Sequence, residues 1–423
     1  MTYSKRVIDL DLDELLSMLP AIELQGAKGV GKTATALERA GTAYRLDNDT
    51  QLALASADPD NLLKGQPPIL VDDWQRLPTS WDRVRRAVDD GAPPGSFLLA
   101  GSAHLPGLPV HSGAGRIVSL RMRPQTLPER GVSVPTVSLG VLLTGNALPV
   151  GGHTTVRLTD YVDEILNSGF PGIRNLPARA RRLQIASYIE RLVQRDFVEL
   201  GHPVRNPAAL RRWMAAYAAA TATTTTFERI RDAAAGPGGG APARSTTKPY
   251  RDVLEQLWIL DPVPAWFPSR NRLKRVAGPP KHHLVDPALA AHLLGVDADA
   301  LLEGRDDGLS IPRDGTLLGA LFESLMALSI RVFAAGHEAS VFHLRERGGE
   351  HEVDFIVERR DGRVLAVEVK LGQTLHERDV RHLNWLRKSL GTDLLDAVVI
   401  TTGPDAYRRS DGIAVVPAAL LGP

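Results

Sequence analysis

The chain has 423 residues, 43% hydrophobic and 23% charged, a globular composition with room for about three domains, which excludes a fibrous or largely disordered protein. The absence of cysteine excludes disulfide frameworks, thiolate zinc sites and cysteine nucleophiles. The net charge of +1 hides an asymmetry: Gly169 to Lys281 carries 19 Lys and Arg against 8 Asp and Glu, a local net of +11 that leaves about −10 for the remainder.

The N-terminus, MTYSKRVIDLDLDELL, alternates charged and apolar residues and lacks the apolar core of a secretory signal. No later stretch holds about 18 uninterrupted apolar residues, so the expectation is a cytoplasmic protein with no membrane span. Apolar runs at AIEL (21–24), PILVDD (68–73) and SFLLAGS (96–102) are short and close on Gly, Asp or Ser, as buried parallel strands do. Helical patterns at Lys32 to Ala40 and Trp81 to Val88 lie between them, which predicts a βαβ sheet.

From Thr159 to Ala235 the pattern is helical. The glycine-rich segment GPGGGAPA (236–243) leads to STTKPYRDVLEQLWIL, with Val253, Leu254, Leu257 and Leu260 at helical spacing. Helix, turn, helix and a strand-rich tail (PVPAWFP, then HHLVD) resemble a winged-helix unit. A third block opens with an amphipathic helix, GTLLGALFESLMALSIRVFAAG, and continues into strands SVFHLRE, HEVDFIVER and RVLAVEVK, with Asp361-Gly362 at a hairpin turn. It ends in a helix and a strand. The expected division is a parallel α/β domain at 1–150, a basic helical and winged-helix-like domain at 151–310, and a further α/β domain at 311–423.

The eight residues Gly26, Ala27, Lys28, Gly29, Val30, Gly31, Lys32 and Thr33 fit G-x-x-x-x-G-K-[ST], after an apolar strand and before a helix. In that context the glycines let backbone N–H groups curl around phosphates, Lys32 reaches the β and γ phosphates, and the Thr33 hydroxyl ligates Mg²⁺. About 40 residues on, Ile69-Leu70-Val71-Asp72-Asp73 ends a buried strand in two carboxylates. Asp72 is expected to hold the metal and Asp73 to orient or deprotonate water. Ser102, closing the next strand, is a candidate for the γ phosphate or the water. Arg116 is a candidate for stabilising charge on the phosphates of its own or a neighbouring subunit's nucleotide, the latter requiring a homo-oligomer.

These residues resemble a known family. GAKGVGKT, ILVDDWQRLP, FLLAGSA and GAGRIVSLRMRPQTLPE, followed by SGFPGIRN, YIERLVQRD and PKHHLVDPALAAHLLG, are similar to the bacterial and archaeal AAA-type ATPases joined to a C-terminal domain of unknown function. The resemblance implies ATP and Mg²⁺ as cofactors and a nuclease-like C-terminal domain. Where the family has Asp-Glu this chain has Asp72-Asp73, and the shorter Asp73 side chain predicts ATP binding ahead of fast turnover.

In HEVDFIVERRDGRVLAVEVK, Asp354 lies on one strand and Glu368-x-Lys370 on its hairpin partner, so Glu368 and Lys370 project from one face. Glu323, on the preceding helix, is placed to join them. Converging carboxylates with a lysine form a magnesium site for phosphodiester hydrolysis, with Glu323, Asp354 and Glu368 as ligands and Lys370 positioning the nucleophile. The set resembles the PD-(D/E)xK nucleases, which implies a restriction-endonuclease-like α/β fold. The alternative is a charged cross-strand pair, or a catalytically silent fold used for binding.

Histidines 282, 283, 343, 351 and 376 lack metal-ligand spacing, and the tryptophans read as packing residues. A minority reading stacks a base on Trp266 beside Arg270, Arg272, Lys274 and Arg275. Two functions follow. One is a DNA-directed ATPase whose basic middle grips nucleic acid and whose C-terminal domain is a metal-dependent nuclease or a descendant of one. The other is a nucleotide-dependent switch or scaffold that docks a protein partner and cuts nothing.

Overall fold

The computed structural model describes residues 3–102, 113–236, 240–268, 278–302, 315–346 and 349–423. Arg270, Arg272, Lys274 and Arg275 lie outside these residues, as does Ser112 of SGAGR. The chain divides into two compact units, one formed by residues 1–124 with 253–259 and the other by 125–252 with 260–423.

The first unit is built on a five-stranded sheet. Its strands are β1 (Ala21–Gln25), β2 (Thr42–Arg45), β3 (Ile69–Asp72), β4 (Phe97–Gly101) and β5 (Val118–Arg121), in the order β2-β3-β4-β1-β5. Every pairing is parallel. β3 and β4 are buried along their whole length, which is why their sequences are continuous apolar runs rather than alternating ones. The helix Thr79–Asp89 turns Trp81 and Val84 inward. There Trp81 lies 4.7 Å from Trp74, centroid to centroid, in a core shared with Leu46, Val71 and Leu99. Side chains buried this way contribute about 1.5–3 kcal/mol each.

The second unit holds β6 (Val137–Ser138), β7 (Gly152–His153), β8 (Ser340–Arg345), β9 (Glu352–Glu358), β10 (Val364–Val369), β11 (Leu394–Thr401), β12 (Asp405–Arg408), β13 (Ala414–Pro417) and β14 (Leu421–Gly422). Seven of these form a mixed sheet in the order β7-β12-β13-β11-β10-β9-β8, while β14 pairs with β6. The expected hairpin is present: β9 and β10 are antiparallel, with Gly362 at a φ of 83° in the connecting turn. The N-terminal unit closes at Pro124, ahead of the boundary expected at residue 150. β6 and β7 pair with β14 and β12 near the C-terminus, which draws residues 125–153 into the second unit.

The helix Gly315–Ala335 contributes Leu321, Phe322, Leu325 and Phe333 to the core of the second unit. Over Leu317–Ala335 it is long and apolar enough by composition to cross a membrane, but 67% of that window is buried inside the protein, and Glu323 and Arg331 interrupt it. The tail expected to form a wing makes antiparallel bridges, Leu260 with Leu284 and Val263 with Lys281, and Ala265 bridges in parallel to His343 on β8. Its hydrogen bonds therefore extend the C-terminal sheet. Trp266 is 3% exposed and sits in the core with Leu344, Val353 and Leu383, so it presents no face for a base to stack on.

Candidate functional site

The end of β1 runs straight into the glycine loop. Gly26 has a φ of 149°, and a Cβ there would lie 2.3 Å from the Met122 carbonyl oxygen, so no side chain fits. Gly31, at a φ of 106°, turns the chain into the helix Lys32–Leu37, a conformation strained for any L side chain. Lys32 is buried, and its ammonium donates to the carbonyls of Gly26 (2.8 Å) and Ala27 (2.9 Å). Burial pushes its pKa down to about 8, against the opposing pull of Asp73 and Asp72.

Thr33 Oγ1 donates to Asp72 Oδ1 at 2.9 Å, joining the loop to the end of β3. Burial raises the pKa of Asp72 while the Thr33 bond opposes the shift. Asp73 follows with a φ of 53°. Gln75 Nε2 donates to Asp73 Oδ1 (3.0 Å) and to Ser102 Oγ (3.3 Å). One amide thus links Asp73 and Ser102 at the C-terminal ends of β3 and β4. Arg116, by contrast, is held by Asp89 Oδ1 at 2.8 Å and by the Ala114 carbonyl.

Two residues of this site escape a motif reading. Gln75 is one. Arg6 is the other: it is 5% exposed and donates to the carbonyls of Val30 (2.9 Å) and Arg123 (2.7 Å), fixing the loop from outside the motif.

A buried cluster lies in the second unit. Asp354 Oδ2 accepts from the Val369 N–H at 2.9 Å, and Lys370 Nζ donates to Glu368 Oε2 at 2.6 Å. Lys370 lies 4.0 Å from Asp354. Lys281, which lies in the PKHHLVDPALAAHLLG segment but is not among the expected site residues, reaches Glu323 (2.9 Å), Asp354 (3.1 Å) and Glu352 (3.4 Å) with a side chain only 1% exposed. Burial pushes the Asp354 carboxyl up, but Lys281, Lys370 and the Val369 N–H hold it down at about 2. Burial raises Glu323 to about 8 against the pull of Lys281. Burial and then Asp354 raise Glu368 well above the ordinary carboxyl range. Glu368 Oε1 is buried with no hydrogen-bond partner among the described residues.

His282 and His283 face opposite ways, His282 toward Tyr217 and Phe227, His283 toward Phe355. His351 accompanies Glu346 and Glu350, with ligand atoms within 4.8 Å of one another, and stacks on Trp385 at 3.9 Å. In the basic stretch, Arg231, Arg244, Lys248 and Arg251 line a pocket of about 330 Å³ with Trp213 and Phe227. Arg251 lies 4.8 Å over the Phe227 ring. These cations carry ion pairs to Glu228, Asp232 and Asp252.

Loop, parallel sheet and Walker-type aspartate define a P-loop ATPase domain, and residues 20–130 match the pattern of an AAA domain. Residues 158–300 and 318–421 match two domains of unknown function, DUF8612 and DUF4143. The chain is 25% identical over 436 residues to the uncharacterized proteins Mb2031c of Mycobacterium bovis and Rv2008c of Mycobacterium tuberculosis, covering 99% of this chain and 84% of each relative. The solved Walker-type ATPase paby2304 of Pyrococcus abyssi is a distant similarity, at TM-score 0.36 and 16% identity over 67% of this chain and 94% of that one.

Proposed function

We propose that the chain is a Mg²⁺-dependent ATP hydrolase that works on nucleic acid, DNA in the first instance. The observation that carries the hydrolase reading is the 2.9 Å bond between Thr33 and Asp72, which sets a hydroxyl and a carboxylate side by side at the mouth of the glycine loop. These two residues would hold Mg²⁺, which supplies neutralisation of triphosphate charge when bound. Lys32 exchanges the carbonyls of Gly26 and Ala27 for phosphate oxygens, a charge-assisted replacement. Asp73 orients or deprotonates the attacking water, with Gln75 and Ser102 fixing its carboxylate and the water's far side. Removing Lys32 (Lys32→Ala) should abolish nucleotide binding and turnover; turnover at the wild-type rate would refute the assignment.

The nucleic-acid half rests on the +11 stretch and on the four cations around the Phe227 pocket. A backbone-binding protein releases counterions, so DNA affinity should fall steeply, by about tenfold or more, between 50 and 200 mM salt. A shift assay at two salt concentrations reads this directly.

A second reading has nucleotide state controlling the docking of a protein partner, with the nuclease-like C-terminal domain cutting nothing. The observation that favours it is Lys281, a cation already seated among Glu323, Glu352 and Asp354. Flat or absent DNA binding in the same shift assay selects this reading.

A further inference from the structure

We propose that Lys281 is a tethered cation that fills the carboxylate cluster of the C-terminal α/β fold in place of a divalent metal ion. Its ammonium donates to Glu323 at 2.9 Å and to Asp354 at 3.1 Å, and Glu352 completes the set as an ion pair at 3.4 Å. Mg²⁺ or Mn²⁺ bound to those same oxygens would lie within a few ångströms of this charge, where the repulsion in a buried setting is large.

Charge arithmetic points the same way. Glu323, Glu352, Asp354 and Glu368 face Lys281, Lys370 and Arg345, which pairs with Glu352 at 2.9 Å. Three cations already stand against the four carboxylates, which leaves a net of −1, less than the charge of one divalent ion.

Lys281 is also anchored against leaving. Its N–H donates to the Val263 carbonyl at 2.8 Å, and its own carbonyl accepts from the Val263 N–H at 2.9 Å. Beside it, His282 bonds the Thr225 carbonyl at 2.7 Å and His283 packs near Phe355. Glu368 Oε1, buried with no hydrogen-bond partner among the described residues, gives an incoming ion a ligand once the lysine charge is gone. The inference deepens the docking reading of this fold and stands apart from nucleotide binding.

The test is Mn²⁺ titration of the full chain without nucleotide, followed by the EPR signal of free Mn²⁺, in wild type, Asp354→Asn, Lys281→Met and the double variant. Wild type and Asp354→Asn should bind alike, whereas Lys281→Met gains one Mn²⁺ per chain, at least about tenfold tighter than wild type, and loses it again in the double variant. Mn²⁺ should also raise the melting temperature of Lys281→Met and leave that of wild type unchanged. A wild-type Mn²⁺ site that disappears in Asp354→Asn or Glu323→Gln overturns the proposal, and this arm needs no variant of Lys281. A folded Lys281→Met that gains no Mn²⁺ overturns it too. The docking reading is judged separately, by the salt response of the shift assay.

Discussion

Thr33 and Asp72 are 39 residues apart in sequence and joined by a 2.9 Å hydrogen bond that ties the glycine loop to the end of β3. If this pair is the Mg²⁺ anchor, Thr33→Ala and Asp72→Asn should each weaken Mg²⁺-dependent ATP binding by about tenfold or more while leaving the weaker Mg²⁺-free binding unchanged. Titration calorimetry with and without the ion checks this.

Gln75 bridges Asp73 and Ser102 and should act on turnover rather than on affinity. Gln75→Ala is expected to lower kcat by about tenfold with KM within about twofold, the pattern of a contact that matters in the transition state. Steady-state ATPase kinetics separate the two parameters. A change confined to KM would make Gln75 a ground-state contact.

Lys32 sets a pH dependence. Its pKa of about 8 belongs to the free loop, and a triphosphate stabilises the charged ammonium, so binding above pH 8 requires uptake of a proton. ATP affinity should be level from pH 6.5 to 7.5 and then fall as pH rises, by up to about tenfold per unit. Calorimetry in buffers of different ionisation enthalpy would show the proton uptake at pH 9 and its absence at pH 7.

Arg6 lies outside every motif yet holds the Val30 and Arg123 carbonyls from a buried position. Arg6→Ala leaves both acceptors without this donor and should lower stability by about 2–4 kcal/mol. ATP affinity should fall with it, because the loop loses its outer support. Urea unfolding followed by nucleotide titration measures both effects.

The nucleotide loop was legible in the sequence because its chemistry is local: strand, glycines, lysine and threonine occur within thirteen residues from Ala21 to Thr33. The β9–β10 hairpin was legible for the same reason, since Asp361-Gly362 marks the turn between two short apolar runs. Lys281 was not, because its partners lie 42 to 73 residues further along. A signal did exist: the chain has 9 lysines among 50 cationic residues, and one of them sits in the uncharged stretch between Pro279 and Val285, where only a buried partner compensates it. The pairing of β6 and β7 with C-terminal strands had no such signal, because two-residue strands carry no periodicity to read. Arg116, expected near phosphate, is bonded to Asp89 on the helix Thr79–Asp89, a surface ion pair that no spacing rule predicts.

Titration of the purified full chain with a non-hydrolysable ATP analogue, with and without Mg²⁺ and beside Lys32→Ala, tests the central claim most directly. The account predicts one nucleotide per chain in wild type, tighter with the ion, and none in Lys32→Ala. No Mg²⁺-dependent heat with any purine triphosphate, or equal binding by Lys32→Ala, would contradict it.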